Sequence, residues 1–197
     1  EMLLEGSHEA AEDGVTNIAF EQGLAEDLPY SNDTFDMVVS RFSIHHFEDP
    51  QIQIAEMVRV CRPEGKVAVI DLVSPDDETL AAAYNRLERM RDPSHTQDLS
   101  VAELRRAVRD AGLEIVHTVS REVEVDVLPW LDLTGVEPEM RRTILDELTH
   151  ALEGLTTTGM RPFKRDNELM FVQTWVIVVG VKPSGAGDKL ETPGKKA

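Results

Sequence analysis

The sequence is poor in cysteine, in long apolar runs and in glycine-rich turns. Its single cysteine, Cys61, excludes an intrachain disulfide and a zinc site built from several cysteines. The longest strongly apolar stretch, 171–181, is broken by Gln173 and Thr174 and is too short to cross a bilayer as a helix. The single Gly-x-Gly triplet, at 185–187, does not follow a strand-like run and therefore does not indicate a nucleotide-binding turn.

Basic residues are also scarce, above all near the beginning of the sequence. The 197 residues include 37 acidic and 20 basic ones, for a formal net charge of −17, and residues 1–50 contain Arg41 as their one base. Such a surface repels phosphate backbones and anionic lipids, so we expect neither nucleic acid nor a membrane as a partner. The contents of apolar residues, 41%, and of charged residues, 29%, are those of a globular domain. We therefore expect a cytoplasmic protein with a small-molecule partner, for which a homodimer stays possible.

Hydrophobic periodicity predicts that helices and strands alternate. Helices are predicted over 1–13, 49–61, 76–91, 100–112 and 138–155, and strands over 16–22, 35–42, 66–73, 113–127 and 169–181. The near-continuous apolar run 35–42 is typical of a strand buried on both faces of a parallel sheet. The alternation predicts an α/β domain around a mostly parallel sheet. Ligands of such sheets bind at the carboxyl ends of the strands, here 23–28, 40–48 and 71–76.

Five short strings carry a resemblance to a known family. They are AEDLPY (25–30), FDMVVS (35–40), HHF (45–47), EMVRVCRPEG (56–65) and RDPSH (91–95). In this order and spacing the chain resembles class I S-adenosylmethionine-dependent methyltransferases, and more narrowly the small-molecule enzymes grouped with ubiquinone and menaquinone biosynthesis. The resemblance covers residues 1–183 and implies a Rossmann-like, mostly parallel sheet flanked by helices, with an antiparallel C-terminal strand. Residues 184–197 are expected to form a disordered tail.

The resemblance also implies parts that this sequence does not contain. In the family, a glycine-rich loop after the first strand cradles the cofactor, and an acidic residue after the second strand binds its ribose hydroxyls. Segment 1–13 looks like the helix that follows this acidic residue. We therefore expect a partial methyltransferase domain without its first two strands, and weak or absent S-adenosylmethionine binding by this chain alone.

The resemblance further implies where the cofactor would be contacted. The implied positions are Leu24, Ala25, Glu26, Ser40, Arg41 and His45. The first three correspond to the loop that contacts adenine, and the other three to the approach to the methionine part of the cofactor. The family commonly has an aspartate at the position of Leu24, where it accepts a hydrogen bond from the adenine amino group. Leucine can only pack against the ring, and the alternative for the whole loop is an exposed acidic surface.

Residues for acceptor binding and catalysis are less clearly indicated. His46 is a candidate general base, and Arg91, His95 and Trp130 are candidates for contacts with the substrate, an acidic one included. The alternative for His46 is packing within its loop. For Arg91 and His95 it is a surface ion pair, and for Trp130 it is packing in the core. His45 and His46 with Glu48 and Asp49 resemble a metal-ligand set only superficially. Adjacent histidines usually point apart and Asp49 suits a helix N-cap, so no metal is expected.

The function expected from the resemblance is methyl transfer from S-adenosylmethionine to a small molecule. The alternative is a non-catalytic scaffold, either degenerate or truncated. A nicotinamide-dependent dehydrogenase is a third possibility, but its Gly-x-Gly-x-x-Gly fingerprint is missing from the sequence. Antiparallel pairing between the strands at 113–127 and 169–181 would favour the methyltransferase.

Overall fold

The structure is a computed structural model, and it describes residues 2–185. The helices are α1 (Met2–Glu12), α2 (Pro50–Val60), α3 (Glu78–Arg91), α4 (Val101–Asp110), α5 (Val127–Asp132) and α6 (Pro138–Leu152). The strands are β1 (Phe35–Arg41), β2 (Cys61–Val73), β3 (Glu114–Asp126), β4 (Phe163–Arg165) and β5 (Glu168–Val181). A 3₁₀ turn, Ile44–His46, follows β1. The predicted α/β alternation is therefore present, whereas α5 and β4 were not predicted. Most of the predicted tail, 186–197, lies outside the described residues.

The five strands form one mixed sheet, with the order β1-β2-β5-β3 and with β4 beside β5. β1 pairs with β2 in parallel, and Ser40 stands opposite Val69. β5 pairs antiparallel with both β2 and β3. The antiparallel pairing of β3 with β5 confirms the arrangement that favoured a methyltransferase. Within residues 2–185 the sheet is mixed instead of mostly parallel, because three of its four pairings involve the antiparallel β5.

The helix starts follow the capping residues in the sequence. Asp49 accepts a hydrogen bond from the backbone N–H of Gln51 at the start of α2. Ser100 and Glu103 form the predicted capping box of α4, in which each side chain binds the backbone N–H of the other. These contacts satisfy N–H groups that have no partner inside the helix. The sequence therefore places the beginning of each of the five predicted helices within a few residues of its observed position.

Apolar side chains form two cores on the two faces of the sheet. The first includes Ile54 of α2, Leu104 of α4 and Val178 of β5, all almost fully buried. The second includes Leu87 of α3 and Phe171 of β5, together with side chains of α5 and α6. Because successive strand residues point to opposite faces, β5 supplies side chains to both cores. Cys61 lies in the first core, as predicted.

Two predictions about the first part of the chain were wrong. Segment 16–22 is not a strand, and its Ile18 and Phe20 side chains are partly exposed. β1 is not buried on both faces, since Met37 and Val39 are each about half exposed. Both differences have one cause: among residues 2–185 no strand pairs with β1 on the side away from β2. A strand needs a neighbour for its backbone hydrogen bonds.

None of the helices described is long and apolar enough to span a bilayer.

Candidate functional site

The carboxyl end of β1 turns sharply at Phe42. This residue has a φ of 51°, in the left-handed region that a bulky side chain rarely adopts. Its N–H donates to the carbonyl of Ile70 in β2, and its ring lies 4.8 Å from that of Trp175. The Arg41 guanidinium lies over the same Phe42 ring, 4.4 Å from the centroid. Strained backbone of this kind is concentrated at functional sites. Here it leads the chain from Arg41 into the 3₁₀ turn.

The loop that the resemblance assigns to adenine is open to solvent. Leu24 is 68% exposed, Glu26 is exposed and Ala25 is partly buried. An isolated β-bridge between Leu24 and Asp27 closes the loop into a tight turn. The side chains of Leu24 and Glu26 therefore remain accessible to a ligand.

His45 lies at the centre of a buried polar cluster. Its Nδ1 is 2.6 Å from Oδ1 of Asp71, which also accepts the N–H of Leu72. Oδ2 of Asp71 accepts the N–H of Ile44, so both oxygens of this carboxylate are satisfied. Burial lowers the pKa of His45, but the hydrogen bond and charge of Asp71 more than offset this effect, and the pKa is raised overall. The carboxylate thus fixes the orientation of the ring.

Two more carboxylates of this cluster are fully buried, those of Asp98 and Glu88. In the part of the chain that the structure describes, neither side-chain oxygen of Asp98 has a hydrogen-bond partner, although Oδ1 lies 3.8 Å from His45 Nδ1. Asn85 clamps the Asp98 backbone, since it accepts its N–H at 2.6 Å and donates to its carbonyl at 3.2 Å. Oε2 of Glu88 is 3.2 Å from Arg91 Nε, an ion-pair distance without hydrogen-bond alignment. Burial raises the pKa of both carboxyl groups.

The three predicted substrate residues also belong to this interior. The Arg91 guanidinium lies 4.9 Å from the ring centroid of Trp130, which packs in the second core. The ring of His95 stacks on that of His45 at 5.2 Å, and its Nε2 is 3.1 Å from Asn85 Oδ1. Burial, followed by nearby cations, lowers the pKa of His95 to about 4. These three side chains contact other groups of the protein. Such contacts correspond to the alternatives of core packing and ion pairing given above for these residues.

His46 points toward the segment after α3. Its Nδ1 lies 3.1 Å from the carbonyl oxygen of Ser94 and 3.2 Å from the hydroxyl of the same residue. Its ring lies 4.3 Å from that of His45, so the expectation that the two adjacent histidines point apart was wrong. Their neighbours hold the two rings together against segment 94–97, where Thr96 donates to the carbonyl oxygen of His45.

A separate cavity of about 500 Å³ opens at the carboxyl end of β2. Its walls come from 73–76, from Tyr84 of α3, from segment 156–162 and from Thr174 of β5. Gly159 has a φ of 74°, and a Cβ there would lie 2.7 Å from the carbonyl oxygen of Leu80, so the wall requires glycine at this position. None of the predicted site residues lines this cavity.

Sequence reasoning missed both the cavity and the buried carboxylates. Glu88 carries a signal, because it falls on the apolar helical stripe that includes Leu80, Tyr84 and Leu87. An acid on a core-facing stripe indicates a buried polar cluster. The run of three threonines before Gly159 is a weaker signal for a hydroxyl-lined wall. Asp98 carries no signal in the sequence that we can identify.

Comparison with known proteins shows that this chain is similar to methyltransferases. A family model described as a methyltransferase domain matches residues 1–69. The uncharacterized methyltransferase YcgJ of Bacillus subtilis is 28% identical over 183 residues, which cover 92% of this chain and 72% of YcgJ. Its crystal structure superposes with a TM-score of 0.81, over 93% of this chain and 79% of that chain.

Other relatives match over shorter parts of the chain. The ubiquinone/menaquinone biosynthesis C-methyltransferase UbiE of Marinomonas sp. is 34% identical over 86 residues, which cover 43% of this chain and 34% of UbiE. The uncharacterized protein YafE of Escherichia coli is 30% identical over 115 residues, which cover 58% of this chain and 56% of YafE. The predicted resemblance to class I S-adenosylmethionine-dependent methyltransferases is therefore confirmed by a family model, by sequence relatives and by the fold.

Proposed function

We propose that this protein transfers a methyl group from S-adenosylmethionine to a small molecule held in the cavity at the end of β2. The observation that carries the proposal is the position of this cavity within a methyltransferase-like fold. β1 and β2 are parallel neighbours, so Ser40 and Arg41 end at the same edge of the sheet as the cavity wall 73–76. Ligands of α/β sheets bind at this edge. A donor beside β1 and an acceptor beyond β2 would thus be neighbours.

The described residues fit one flank of an S-adenosylmethionine site. The accessible Leu24 side chain offers an apolar surface for a purine ring, and Glu26 keeps an exposed carboxylate beside it. Ser40 and Arg41 supply backbone groups at the strand end, where the methionine part of the cofactor would lie. Among residues 2–185 no glycine-rich turn follows a strand. The described residues would therefore contact the adenine and the methyl end of the cofactor, and not its whole length.

The lining of the cavity disfavours an anionic acceptor. Hydroxyl groups of Ser74, Thr158 and Thr174 lie among apolar walls. Three charged residues also line it: Arg161 and Glu122 pair with one another at 2.6 Å, and Asp76 adds a further carboxylate. An anionic acceptor would have no free cation in this wall, and the net charge of the protein would repel it. We therefore expect an acceptor that combines an apolar body with hydrogen-bonding groups.

In this reaction the main task of the protein is to position the methyl donor and the acceptor. When bound, S-adenosylmethionine supplies a methyl group that its own sulfonium charge already activates. The cavity walls would exclude water and hold the acceptor atom in line, which provides most of the rate enhancement in such reactions. Tyr84 contributes to the cavity wall, whereas its hydroxyl is buried in the protein interior. His46 does not line the cavity, and its role as a general base stays a prediction.

Donor binding can be tested by mapping S-adenosylhomocysteine on the ¹⁵N-labelled chain by NMR, which detects millimolar affinity. We expect shifts at 24–26 and 40–41. Replacement of Leu24 by aspartate adds an acceptor for the adenine amino group and should tighten binding about fivefold, the effect of one net hydrogen bond of about 1 kcal/mol. The matched control is Leu133→Asp, since Leu133 is equally accessible but lies after α5. Shifts confined to other segments, or none at millimolar ligand, would contradict the proposed donor site.

Acceptor binding needs a second assay, in which tritiated methyl donor is incubated with the protein and a small-molecule extract. Thr157→Trp should fill part of the cavity and abolish label transfer, yet leave the S-adenosylhomocysteine shifts unchanged. Leu155→Trp is the control, because Leu155 is exposed and does not line the cavity. Donor binding without label transfer to any acceptor would favour the non-catalytic scaffold. Equal loss in both variants would refute the acceptor site.

A further inference from the structure

Three side chains from separate segments meet at one buried point. They are His45 of the 3₁₀ turn, Asp71 near the end of β2 and Asp98 just before α4. Each offers one ligand atom, and these atoms all lie within 4.8 Å of one another. The Nδ1 of His45 is 2.6 Å from Asp71 Oδ1 and 3.8 Å from Asp98 Oδ1. All three residues are buried, with Asp98 completely inaccessible.

Two carboxyl groups at this point are not fully satisfied by residues 2–185. Within that range Asp98 has no hydrogen-bond partner for either side-chain oxygen, and Glu88, also fully buried, leaves one oxygen without a partner. The facing cation is Arg91, close to Glu88. Buried carboxylates without partners are costly, and such charges are normally paired or bound to a metal.

We propose that His45, Asp71 and Asp98 bind one divalent transition-metal ion, with Zn²⁺ as the preferred ion. One imidazole nitrogen and two carboxylate oxygens form a donor set that suits zinc, and a water molecule could complete a tetrahedron. Mg²⁺ is disfavoured because it prefers oxygen ligands and retains its water shell. Binding would replace the His45–Asp71 hydrogen bond by two metal bonds. This site differs from the His45, His46, Glu48 and Asp49 set that the sequence suggests, and it departs from the expectation of no metal.

Two of the three proposed ligands, Asp71 and Asp98, are held in place by hydrogen bonds from neighbouring groups, as metal ligands usually are. The backbone N–H groups of Ile44 and Leu72 hold the Asp71 carboxylate, while the Asn85 side chain fixes the Asp98 backbone on both sides. Such outer contacts orient ligands and tune affinity. A cavity of about 10 Å³, lined by His45 and Asp71, adjoins the point and has room for roughly one water molecule.

A metal ion here would connect the 3₁₀ turn to β2 and to the segment before α4. Segment 94–98 already packs on this turn, through Thr96 and through the stacked rings of His95 and His45. The ion would therefore stabilise the fold around the sheet edge. This inference does not depend on methyl transfer, because its readouts are metal content and stability.

The test measures metal on the full 197-residue chain. Purified protein is incubated with Zn²⁺, passed through a desalting column and measured by elemental mass spectrometry, and Co²⁺ loading is followed by its visible absorption. We expect one equivalent of metal, a Co²⁺ spectrum typical of tetrahedral N/O coordination, and a raised melting temperature with Zn²⁺ but not with Mg²⁺. Asp98→Asn should weaken Zn²⁺ binding by at least about tenfold, the range seen when even outer contacts of a metal site are lost. This variant should fold, since it removes a buried charge that has no partner.

Two controls separate the proposed site from adventitious binding. Asp110→Asn removes an exposed carboxylate at the end of α4 and should leave one equivalent bound. His8 lies 3.3 Å from Glu12 on the surface of α1, where stray zinc could bind, and His8→Gln should likewise change nothing. The proposal is overturned if wild-type protein retains no Zn²⁺, or if Asp98→Asn binds Zn²⁺ as tightly as wild type does.

Discussion

β1 and β5 have similar apolar sequences but very different surroundings. β5 pairs with strands on both sides, and its Phe171, Val176 and Val178 are completely buried. β1 pairs only with β2 among the described residues, and its Met37 and Val39 are about half exposed. An apolar run thus predicts a strand, whereas its burial depends on neighbours that the run itself does not specify.

The two regions are also attached to the fold by different forces. β5 is held by packing in two apolar cores. The chain before β1 is held largely by polar contacts: Arg59 donates to the carbonyl oxygens of Leu28 and Tyr30, and Lys182 binds Asp33. Packing is insensitive to pH, whereas ion pairs require charged partners. The two regions should therefore respond differently to mutation and to acid.

The largest expected contrast comes from the same substitution in the two regions. Phe171→Ala empties a fully buried site in the second core and should lower the free energy of unfolding by about 3–5 kcal/mol. Phe20→Ala removes a side chain that is 39% exposed and rests near Gly6, and should cost less than about 1 kcal/mol. Urea denaturation followed by circular dichroism measures both. Equal losses would mean that segment 16–22 is packed as tightly as β5.

A smaller effect is expected from the lysine that connects the two regions. Lys182, just after β5, is buried and its Nζ donates to the carbonyl oxygens of Val58 and Cys61 as well as to Asp33. Lys182→Met keeps the aliphatic stem but leaves two carbonyl groups without this partner, which should cost about 2–3 kcal/mol.

The control for this lysine is Lys164→Met in β4, where the residue is exposed. It should change the free energy of unfolding by less than about 0.5 kcal/mol. Hydrogen exchange adds a local readout, since the amide of Asp33, which donates to the carbonyl oxygen of Arg59, should lose protection only in the Lys182 variant. Unchanged protection at Asp33 would show that Lys182 stabilises β5 alone.

The sequence predicted the helices well because their signals are local. The cap at Asp49, the capping box at Ser100 and the stripe through Tyr84 and Leu87 each act within a few residues. The 16–22 strand failed because alternation of Ile18 and Phe20 says nothing about a pairing partner. Local patterns therefore fix elements better than they fix their neighbours.

The candidate sites were predictable only in part, for a similar reason. The position of 40–41 at the end of a strand followed from the order of elements, whereas 24–26 follow no strand and were implied by the resemblance alone. The His45, Asp71 and Asp98 cluster joins residues up to 53 positions apart, and Asp98 lies in no motif. Arg91 and His95 looked like surface ligands for an acid, but burial and the contacts of Glu88 and Asn85 engage them. A single sequence does not show which of its distant residues come together in the folded protein.

The smallest contrast concerns acid sensitivity of the region before β1. Glu56 accepts the N–H of Leu28 and pairs with Arg59, and the hydrogen bond from Arg59 is the main reason why its pKa lies below the ordinary 4.5. A carboxyl group with a lowered folded-state pKa contributes stability above its unfolded pKa, and this contribution is lost as pH falls through the folded value. Wild-type protein should therefore lose this stabilisation below about pH 4.5, near the unfolded pKa of a glutamate.

Glu56→Gln should remove the charge at every pH and lower the free energy of unfolding at neutral pH by about 1–2 kcal/mol, as expected for partly exposed charged hydrogen bonds. Its difference from wild type should shrink toward zero as the pH falls below 4.5, since protonated Glu56 resembles glutamine. Glu114→Gln, at an exposed position at the start of β3, is the control and should show no such convergence. Urea midpoints between pH 3.5 and 7 measure the effect. A difference between Glu56→Gln and wild type that stays constant with pH would mean that geometry, and not charge, holds this loop on α2.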